Sequence, residues 1–559
     1  MKYYEHPKPR TKTRRILSLA FAVLLVFTLV SCSNSDNNSS LHDNNPSPTM
    51  GLTRQENQLP AEDALYYDSE IAYSISKDMI PPGSPTDRYV PIESLEEYDE
   101  LDETSFKKVL GNPLSTFSSD VDTASYSNMR RFINNGREPE GVRTEELINY
   151  FDYSFPKPNQ NSAHPFAIHT EVSNCPWQRG HGLAMITITG AEMTHEQEIA
   201  NNIVFLLDVS GSMDAPNKLP LLQQSLHLFI EELGENDRIS IVTYAGSDKI
   251  IADSIPGNND SLLREKVDGL WAGGSTAGAA GITTAYELAE KNFIPGGNNR
   301  IILATDGDFN VGISSNSALE SLIEEKRESG VFITVLGFGM YNLKDSKMET
   351  IADKGNGNYA YIDTLQEAEK VLVREFNSTM YTIAKDVKFQ IEFNPDVVSE
   401  YRLIGYENRR LENEDFANDK KDAGDIGAGH TVTAFYELKF TDDSTEDAGL
   451  KYQNLVSTGS DEIMTVSVRY KNPGEDTSIL TEKAVGQEFF TDTPSADFRF
   501  AAAVTEFALI VKDSDYCGSA NLAHVQSAAL DALGEDPYGL REEFVSLVKA
   551  YQKNVSGKY

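Results

Sequence analysis

Cysteine and basic residues are scarce in this chain of 559 residues. Its three Cys residues, Cys32, Cys175 and Cys517, are too widely separated for a zinc site or a network of disulfides. Cys175 and Cys517 are either two small buried thiols or a single bridge. The chain has 49 Lys and Arg against 86 Asp and Glu, which gives a formal net charge of −37. Nucleic-acid binders cluster Lys and Arg, and no basic stretch follows the first fifteen residues, so the composition excludes nucleic acid as the main partner.

Long apolar runs are also scarce, and the one candidate lies at the N-terminus. Residues 16–30 form an apolar run that follows six Lys and Arg residues. This arrangement is typical of a signal peptide, which we place at residues 1–31. No other run of about 18 apolar residues occurs in the sequence, so we expect no further membrane-spanning segment.

The end of this run, Leu29-Val30-Ser31-Cys32, resembles the bacterial lipobox. The resemblance implies that the peptide is cut before Cys32 and that Cys32 carries acyl chains on its sulfur and on its amine. Several acyl chains anchor a protein stably, because each buried methylene contributes about 0.8 kcal/mol. We therefore predict a lipid-anchored, extracytoplasmic protein; the alternative is a plain transmembrane anchor with an incidental Cys. Ser33 stands where many lipoproteins retained in the inner membrane have Asp, which favours the outer membrane or the cell surface.

The composition of the remaining chain changes several times, which predicts separate structural units. Residues 32–112 are rich in Asn, Ser and acidic residues, and this composition predicts a disordered acidic tether. A short adhesive peptide at residues 64–67 is the alternative for part of this segment. The other predicted units are a helical N-terminal region at 113–165, a β-rich domain built from 166–199 and 385–490, an α/β domain at 200–384 and a helical C-terminal region at 491–559.

Short apolar segments that alternate with amphipathic helices predict the α/β domain. The apolar segments are residues 203–207, 239–244, 301–304 and 331–337. Such alternation indicates a doubly wound, mostly parallel sheet of the Rossmann-like type, covered by helices on both faces. Strands with period-two alternation flank this block on both sides. The prediction is therefore an α/β domain inserted into a β-sandwich-like domain.

Side chains that bear oxygen follow the predicted strands of the α/β domain. The pattern Asp208-x-Ser210-x-Ser212 begins at the end of the first strand, Asp306 follows a later strand, and Thr276 lies in a glycine-rich loop between them. The carboxyl ends of parallel strands share one edge of a sheet, so we expect these five side chains to converge. Two carboxylates and three hydroxyls suit one hard divalent cation, Mg²⁺ in the first place and Mn²⁺ or Ca²⁺ as alternatives.

This set of five residues is similar, position by position, to the metal-ion-dependent adhesion site of von Willebrand factor type A domains. The stretches 117–151, 301–312, 335–361 and 495–508 also resemble a family of bacterial von Willebrand type A lipoproteins, over residues 113–555. The resemblance implies the Rossmann-like fold of those domains, a cation at the five residues and flanking regions specific to the family. An ion with so few charged ligands should take a further carboxylate, which a partner protein supplies.

Competing interpretations exist for these and for neighbouring motifs. Asp306, Asp308 and Asn310 mimic the opening of a calcium-binding loop, but the Gly and the distal Glu of an EF-hand are missing. Asp308 is therefore expected to be a neighbouring acceptor or a charge at the rim. The hydroxyls of the adhesion-type motif could instead merely cap helices. In the N-terminal region, Asp122 and Thr123 are predicted to cap a helix.

The sequence lacks the motifs of common hydrolases and nucleotide-binding proteins. It contains no Gly-x-Ser-x-Gly elbow and no phosphate-binding loop, and Ser210 and Ser212 are already engaged as predicted ligands. We therefore predict a protein-binding module that is not an enzyme and takes no nucleotide. The alternatives are an envelope scaffold or assembly factor, in which the metal site is structural, and a metal-dependent hydrolase.

Overall fold

A computed structural model describes residues 95–99, 101–159, 162–192, 199–275, 278–307, 316–441 and 459–556. The predicted signal peptide, Cys32 and most of the predicted tether lie outside these residues, as do Thr276, Asp308 and Asn310. None of the helices in the described part of the chain combines the length and the apolar character needed to cross a membrane.

The strands lie in three sheets and are numbered in chain order. They are β1 (Lys107–Lys108), β2 (Leu114–Ser118), β3 (Phe166–Asn174), β4 (His181–Gly190), β5 (Asn201–Asp208), β6 (Arg238–Tyr244), β7 (Asp248–Pro256), β8 (Asn298–Thr305), β9 (Phe332–Phe338), β10 (Tyr359–Ile362), β11 (Thr382–Phe393), β12 (Val398–Ile404), β13 (Gly424–Gly427), β14 (Thr431–Phe440), β15 (Glu462–Lys471) and β16 (Ile479–Gly486).

The helices are numbered in the same way. They are α1 (Ala124–Asn134), α2 (Thr144–Ile148), α3 (Leu219–Glu231), α4 (Asp260–Asp268), α5 (Gly278–Lys291), α6 (Asn316–Arg327), α7 (Asp345–Lys354), α8 (Leu365–Glu369), α9 (Phe376–Met380), α10 (Ala496–Val511), α11 (Leu522–Asp531) and α12 (Leu540–Ser556). Short 3₁₀ helices occupy Gly211–Asp214, Asn413–Ala417 and Gln487–Phe489, and a π-helical turn occupies Lys370–Arg374.

The central sheet has the strand order β10-β9-β8-β5-β6-β7. All neighbouring strands are parallel except β6 and β7. Every residue of β5 and β8 is buried, because apolar cores lie on both faces of the sheet. The chain continues from β5 to β6 on one side and later returns to place β8 on the other side. The strand order therefore reverses between β5 and β8, which is where such sheets bind ligands. The predicted doubly wound α/β fold is confirmed.

Two antiparallel sheets form the β-rich domain. One has the order β1-β12-β14-β4-β3, and the other has the order β13-β11-β15-β16, with β2 also paired to β11. Apolar side chains of both sheets, such as Ile186 and Phe389, belong to one core. Strands β3 and β4 precede the central sheet in the chain and β11 to β16 follow it. The fold is thus a sandwich into which the α/β domain is inserted, as predicted.

The helices at the two ends of the described chain share a core. Phe500 of α10 and Phe544 of α12 have ring centroids 5.6 Å apart in an edge-to-face arrangement. Phe151, just after α2, packs against both rings at 5.0 and 5.7 Å. These aromatic contacts join the N-terminal and C-terminal helical regions.

Two arginines and six carboxylates meet where the N-terminal region, helix α7 and the β-rich domain come together. We call this set the acid-rich cluster; its members are Arg143, Arg409, Asp120, Asp122, Glu146, Asp345, Glu349 and Asp353. Arg143 Nη1 lies 2.6 Å from Asp345 Oδ2 and 3.3 Å from Glu349 Oε2. Burial raises the pKa of Glu146 and of Glu349 to about 7, even though the arginines oppose the shift.

This cluster should make the protein less stable at pH 8 than at pH 6. Glu146 and Glu349 titrate near pH 7 in the folded chain and near 4.5 in the unfolded chain, so the folded state binds more protons between these values. The resulting stability is complete below the unfolded pKa and is lost as the pH rises through the folded pKa. Calorimetry of the purified full-length chain should therefore give a lower melting temperature at pH 8.

Glu349→Gln removes one titrating carboxylate and should flatten this change between pH 6 and pH 8. Glu535→Gln, at an exposed residue, should leave the change as it is in the original chain. A melting temperature that rises toward pH 8, or equal slopes in the two variants, would contradict the assignment.

The predicted capping role of Asp122 is wrong. Thr123 is the N-cap residue of α1, and its side chain makes no capping hydrogen bond. Asp122 Oδ1 instead accepts from the amide of Tyr359 over 2.8 Å, and Oδ2 lies 3.5 Å from Arg409 Nη2. Asp122 therefore attaches the N-terminal region to β10 of the central sheet.

The end of the predicted tether is packed on the folded body. Within residues 95–112, strand β1 pairs antiparallel with β12, and residues 95–99 contact the central domain as described below. The folded body thus begins before the expected boundary at residue 112.

The structure also gives Cys175 and Cys517 as free thiols, the first buried and the second half-buried. Burial raises the pKa of Cys175 well above its ordinary value.

Candidate metal centre

Strands β5 and β8 end side by side at the point where the strand order reverses. Asp208 is the last residue of β5, and Asp306 directly follows β8. Both carboxylates are fully buried, and Ser210 is buried as well. Ser212, in the 3₁₀ helix that follows, is exposed. Four of the five predicted ligands therefore lie at one edge of the sheet, and the fifth, Thr276, is outside the described residues.

Hydrogen bonds link three of these residues in a chain. The Ser210 amide donates to Asp208 Oδ1 over 2.8 Å, and Ser210 Oγ lies 2.9 Å from Ser212 Oγ. Hydrogen bonding by the Ser210 side chain opposes the rise in the pKa of Asp208, and hydrogen bonding by the Ser212 side chain helps to lower the pKa of Asp306. Two ligands at right angles around Mg²⁺, each about 2.1 Å from the ion, are separated by about 3.0 Å. The spacing of the two hydroxyl oxygens fits neighbouring positions of that octahedron.

The glycine-rich loop before Thr276 is attached to the loop after β5 by its backbone. The Gly273 amide donates to the Val209 carbonyl over 2.8 Å, and the Gly211 amide donates to the Gly274 carbonyl over 3.1 Å. Gly274 has a φ of +90°, a conformation that favours glycine. These bonds hold the start of the Thr276 loop directly beside the two serines.

A lysine that sequence reasoning missed also reaches this site. Lys218, just before helix α3, is 7% exposed. Its Nζ donates to Asp306 Oδ2 over 2.9 Å and to Asn342 Oδ1 over 3.2 Å. The adhesion-type motif does not include this position, so no sequence pattern indicated the contact. With both carboxylates ionised, Asp208, Asp306 and Lys218 leave the site with one net negative charge.

The two carboxylates have different electrostatic environments. Burial raises the pKa of Asp208 to about 6, although hydrogen bonds from Ser210 oppose the shift. Burial acts in the same direction on Asp306, but the ammonium of Lys218 outweighs it and lowers the pKa of Asp306 below its ordinary value. The charge of Lys218 therefore keeps the side chain of Asp306 in its ionised, carboxylate form.

Two residues at the end of β8 orient Asp208 and close the turn behind it. Thr305 Oγ1 donates to Asp208 Oδ2 over 3.2 Å and accepts from the Gly307 amide over 3.2 Å. Gly307 has a φ of +93°, and a Cβ at this position would lie 2.6 Å from the amide nitrogen of Lys344. Only glycine fits there. The turn after β8 consequently packs tightly against the loop 341–345.

Residues 95–99 run alongside this loop, 341–345. Two of their backbone amides donate to carbonyls of the loop, over 2.8 and 3.0 Å. The Glu96 side chain is 1% exposed, and it accepts from the Tyr341 amide over 2.6 Å and from two Arg131 nitrogens over 2.7 and 3.1 Å. Because Tyr341 precedes the asparagine that binds Lys218, these contacts connect residues 95–99 with the candidate metal centre.

Glu96→Gln should lower the free energy of unfolding by about 1–3 kcal/mol, because it removes the charge that pairs with the buried Arg131. Urea denaturation measures this loss, and hydrogen exchange should become faster in residues 95–99. Glu97→Gln is the matched control, since Glu97 is exposed and pairs with Lys344 at the surface. Equal effects of the two substitutions would contradict the proposed docking of residues 95–99.

The donor set fits a hard cation held mainly through neutral oxygens. Among the residues that the structure describes, no group of three or more His, Cys, Asp or Glu side chains could hold a metal ion. The candidate centre therefore depends on its hydroxyls, with Asp208 and Asp306 as the acidic members. Such a set suits Mg²⁺, which prefers oxygen ligands and keeps several waters.

Sequence models of three known families match the chain. The model described as "von Willebrand factor" matches residues 92–185, "von Willebrand factor type A domain" matches 202–374, and "Uncharacterized protein YfbK, C-terminal" matches 378–553. The type A match covers the central sheet and includes all five predicted ligands. Residues 202–374 are therefore a von Willebrand factor type A domain.

Among individual proteins, "Uncharacterized protein YfbK" of Escherichia coli is 44% identical over 463 residues, which cover 81% of this chain and 80% of that protein. "Uncharacterized protein sll0103" of Synechocystis is 28% identical over 33% of this chain and 42% of its own length. Of solved structures, the von Willebrand factor type A protein from Catenulispora acidiphila aligns with a TM-score of 0.39 and 16% identity, covering 69% of this chain and 91% of its own.

Proposed function

Because the chain belongs to the family of the Escherichia coli protein YfbK, and its type A domain carries the residues described above at the ends of β5 and β8, we propose that it is a protein-binding module of the cell envelope. In this proposal Asp208, Ser210, Ser212, Thr276 and Asp306 hold one divalent cation, Mg²⁺ in the first place and Mn²⁺ or Ca²⁺ as alternatives. The cation engages a carboxylate of a partner protein. The observation that carries the proposal is the 2.9 Å separation of the two serine hydroxyls beside two buried carboxylates.

The charges at the centre support an interaction with an acidic partner. Asp208 and Asp306 supply two negative charges, and Lys218 adds one positive charge. A bound divalent cation supplies a Lewis-acidic centre that attracts oxygen ligands. With that ion the site carries a net positive charge. The exposed Ser212 lies at the surface edge of the site, so a carboxylate from outside approaches without displacing a buried side chain.

We favour binding over hydrolysis because the polar residues of the site are already engaged. The Ser210 and Ser212 hydroxyls bind each other and are the proposed ligands of the ion, which leaves neither as a nucleophile with its own general base. A metal-dependent hydrolase would need a base beside the ion. Lys218 is held by Asp306 and Asn342, so its Nζ is already engaged.

We further propose that acyl chains on Cys32 attach the chain to a membrane outside the cytoplasm. The support is the basic segment, the apolar run at 16–30 and the lipobox-like residues that end in Cys32. Cys32→Ser should move the protein from the membrane fraction to the soluble fraction of cells. Continued membrane association of that variant would contradict lipid anchoring.

An envelope scaffold or assembly factor with a structural metal site is the second candidate function. The observation that favours it is that Glu96 accepts from the Tyr341 amide, while the next residue, Asn342, accepts from Lys218, the partner of Asp306. Through these contacts a bound ion would stabilise the attachment of residues 95–99. In that case removing the metal should release these residues to hydrogen exchange while partner binding persists.

The test of the proposed function is isothermal titration of the purified full-length chain with Mg²⁺ and with Mn²⁺. We expect one-site binding that is lost in Asp208→Ala and in Thr276→Ala. Asp214→Ala and Ser275→Ala are the matched controls, because both residues are exposed neighbours of the predicted ligands. Binding of an envelope protein that resists chelation and survives Asp208→Ala would overturn the adhesion-type proposal and favour the scaffold.

A further inference from the structure

A polar cavity of about 410 Å³ lies at the opposite end of the central sheet from the candidate metal centre. It is lined by residues of the N-terminal region, the type A domain and the β-rich domain. Arg300, in its lining, stands near the start of β8, whereas Asp306 follows the end of that strand. Six residues of extended chain span about 20 Å. The cavity is therefore separate from the metal centre, at an interface between domains where ligand sites are common.

Arg300 is a buried cation of this cavity, and it forms no ion pair with any residue that the structure describes. Its guanidinium carbon lies 5.7 Å from the centroid of the Phe332 ring. Arg300 is 2% exposed, and its one side-chain hydrogen bond to a described residue runs from Nη1 to Thr334 Oγ1 over 2.8 Å. Its Nε is buried without a hydrogen-bond partner in the described part of the chain. Burial lowers the pKa of Arg300 to about 10, and Asp425 opposes the shift only in part. A buried charge without a partner is costly, so a group that binds this guanidinium would be strongly favoured.

The remaining charges of the lining leave an excess of positive charge. Most of its acids are paired with basic residues. The ion pairs are Arg409 with Asp120 and Asp353, Arg327 with Asp422, and Lys354 with Glu324. Arg300, Arg410 and Lys421 form no ion pair with any residue that the structure describes, and Asp425 is the acid that opposes them. Six basic and five acidic residues line the cavity, and this excess of one positive charge in a chain with a net charge of −37 favours an anionic ligand.

We propose that this cavity binds a small solute through a phosphate or carboxylate group, with Arg300 as the anchor. A guanidinium presents a planar set of N–H donors that matches two oxygens of such a group. Arg410 and Lys421 are exposed members of the lining, and their charges attract an anion from solution. Asp425 provides an acceptor for a hydroxyl or an amine elsewhere on the solute.

A second cavity, of about 370 Å³, shares Asn358, Ser378 and His430 with the first. Burial lowers the pKa of His430 to about 4, so this imidazole is neutral at pH 7 and offers one donor and one acceptor. The shared lining extends the space beside Arg300. The site therefore accommodates a solute larger than the anionic group alone.

The test is isothermal titration of the purified full-length chain with inorganic phosphate and, separately, with succinate, at low salt. Saturable binding of phosphate indicates a phosphate-bearing solute, binding of succinate indicates a carboxylate, and binding of both indicates the shared chemistry. Arg300→Met should weaken the binding by at least about tenfold. Asp425→Asn should tighten it several-fold, because the substitution removes a negative charge from the lining.

Arg499→Gln, at an exposed arginine of α10, is the control and should leave the affinity unchanged. Without a probe, Arg300→Met should melt no lower than the original chain, since it removes a buried charge that forms no ion pair with a described residue. Absence of binding for both probes overturns the proposal, as does undiminished binding by Arg300→Met. If Arg300→Met fails to fold, Asp425→Asn decides, because an unchanged or weaker affinity in that variant also overturns it.

Discussion

Replacing Arg143 by Met is expected to lower the free energy of unfolding by about 3–5 kcal/mol at pH 8. Arg143 is 2% exposed, and its guanidinium contacts Glu146, Asp345 and Glu349. The substitution keeps most of the side-chain volume and leaves these three carboxylates together without their cation. Arg409 still reaches Glu349, over 3.3 Å, and it is the remaining cation of the acid-rich cluster. Urea denaturation of the full-length chain at pH 8 measures the loss.

The same substitution should cost less at pH 6. Glu146 and Glu349 have pKa values of about 7 in the folded chain, so at pH 6 both are largely protonated and repel their neighbours less. Arg499→Met, at an exposed arginine, is the control and should change stability by less than about 0.5 kcal/mol. A loss below about 1 kcal/mol at pH 8, or a loss that grows toward pH 6, would show that the cluster does not depend on Arg143.

The strands of the central sheet could be predicted because they are continuously apolar, but their ends could not. The first strand was expected at 203–207 and extends over Asn201–Asp208. The third was expected at 301–304 and extends over Asn298–Thr305. The reason is that both strands begin with buried asparagines, which hydropathy assigns to loops. Asn202 Nδ2 donates to Asn299 Oδ1 over 3.0 Å, and this bond between neighbouring strands compensates for burying the two amides.

The candidate site could be predicted in part for a similar reason. Asp208, Ser210, Ser212 and Asp306 directly follow apolar strands, so the topology of a parallel sheet is enough to place them together. Lys218 belongs to no such pattern. Its contact with Asp306 depends on how helix α3 packs against the sheet, and a periodic pattern in a single sequence does not contain that information.

The same limit applies to the charged residues outside the site. Arg300 is fully buried in a strand that hydropathy identifies correctly, yet nothing in its local sequence shows that it forms no ion pair with the other described residues. Glu96 lies in a segment whose composition predicts disorder, but its carboxylate is held by Arg131 of helix α1. A composition averaged over the segment cannot reveal one specific buried ion pair. The Glu96–Arg131 ion pair therefore places residues 95–99 in the folded body, outside the boundary that composition predicts.

Replacing Lys218 by Met is expected to destabilise the metal-free protein by about 3–5 kcal/mol and to tighten the binding of Mg²⁺ by about tenfold or more. Asp306 is fully buried, and the ammonium of Lys218 is its cationic partner at 2.9 Å. Without that ammonium the carboxylate loses this cationic partner, and a bound metal ion would replace it. The variant should therefore gain more in melting temperature from Mg²⁺ than the original chain does.

Lys218→Arg keeps the charge and should remain closer to the original chain in both measurements, whereas Lys249→Met, at an exposed lysine, should change neither. The two effects of Lys218→Met are linked, because a group that competes with the ion for Asp306 lowers the affinity for Mg²⁺ by the part of its stabilising free energy that is lost when the ion binds. Equal gains from Mg²⁺ in Lys218→Met and in the original chain would show that the lysine and the ion do not share this carboxylate. A larger gain in melting temperature in the variant would mean that Lys218 takes the place of the ion beside Asp306 in the metal-free protein. Binding of the metal would then require Asp306 to exchange the lysine for the ion.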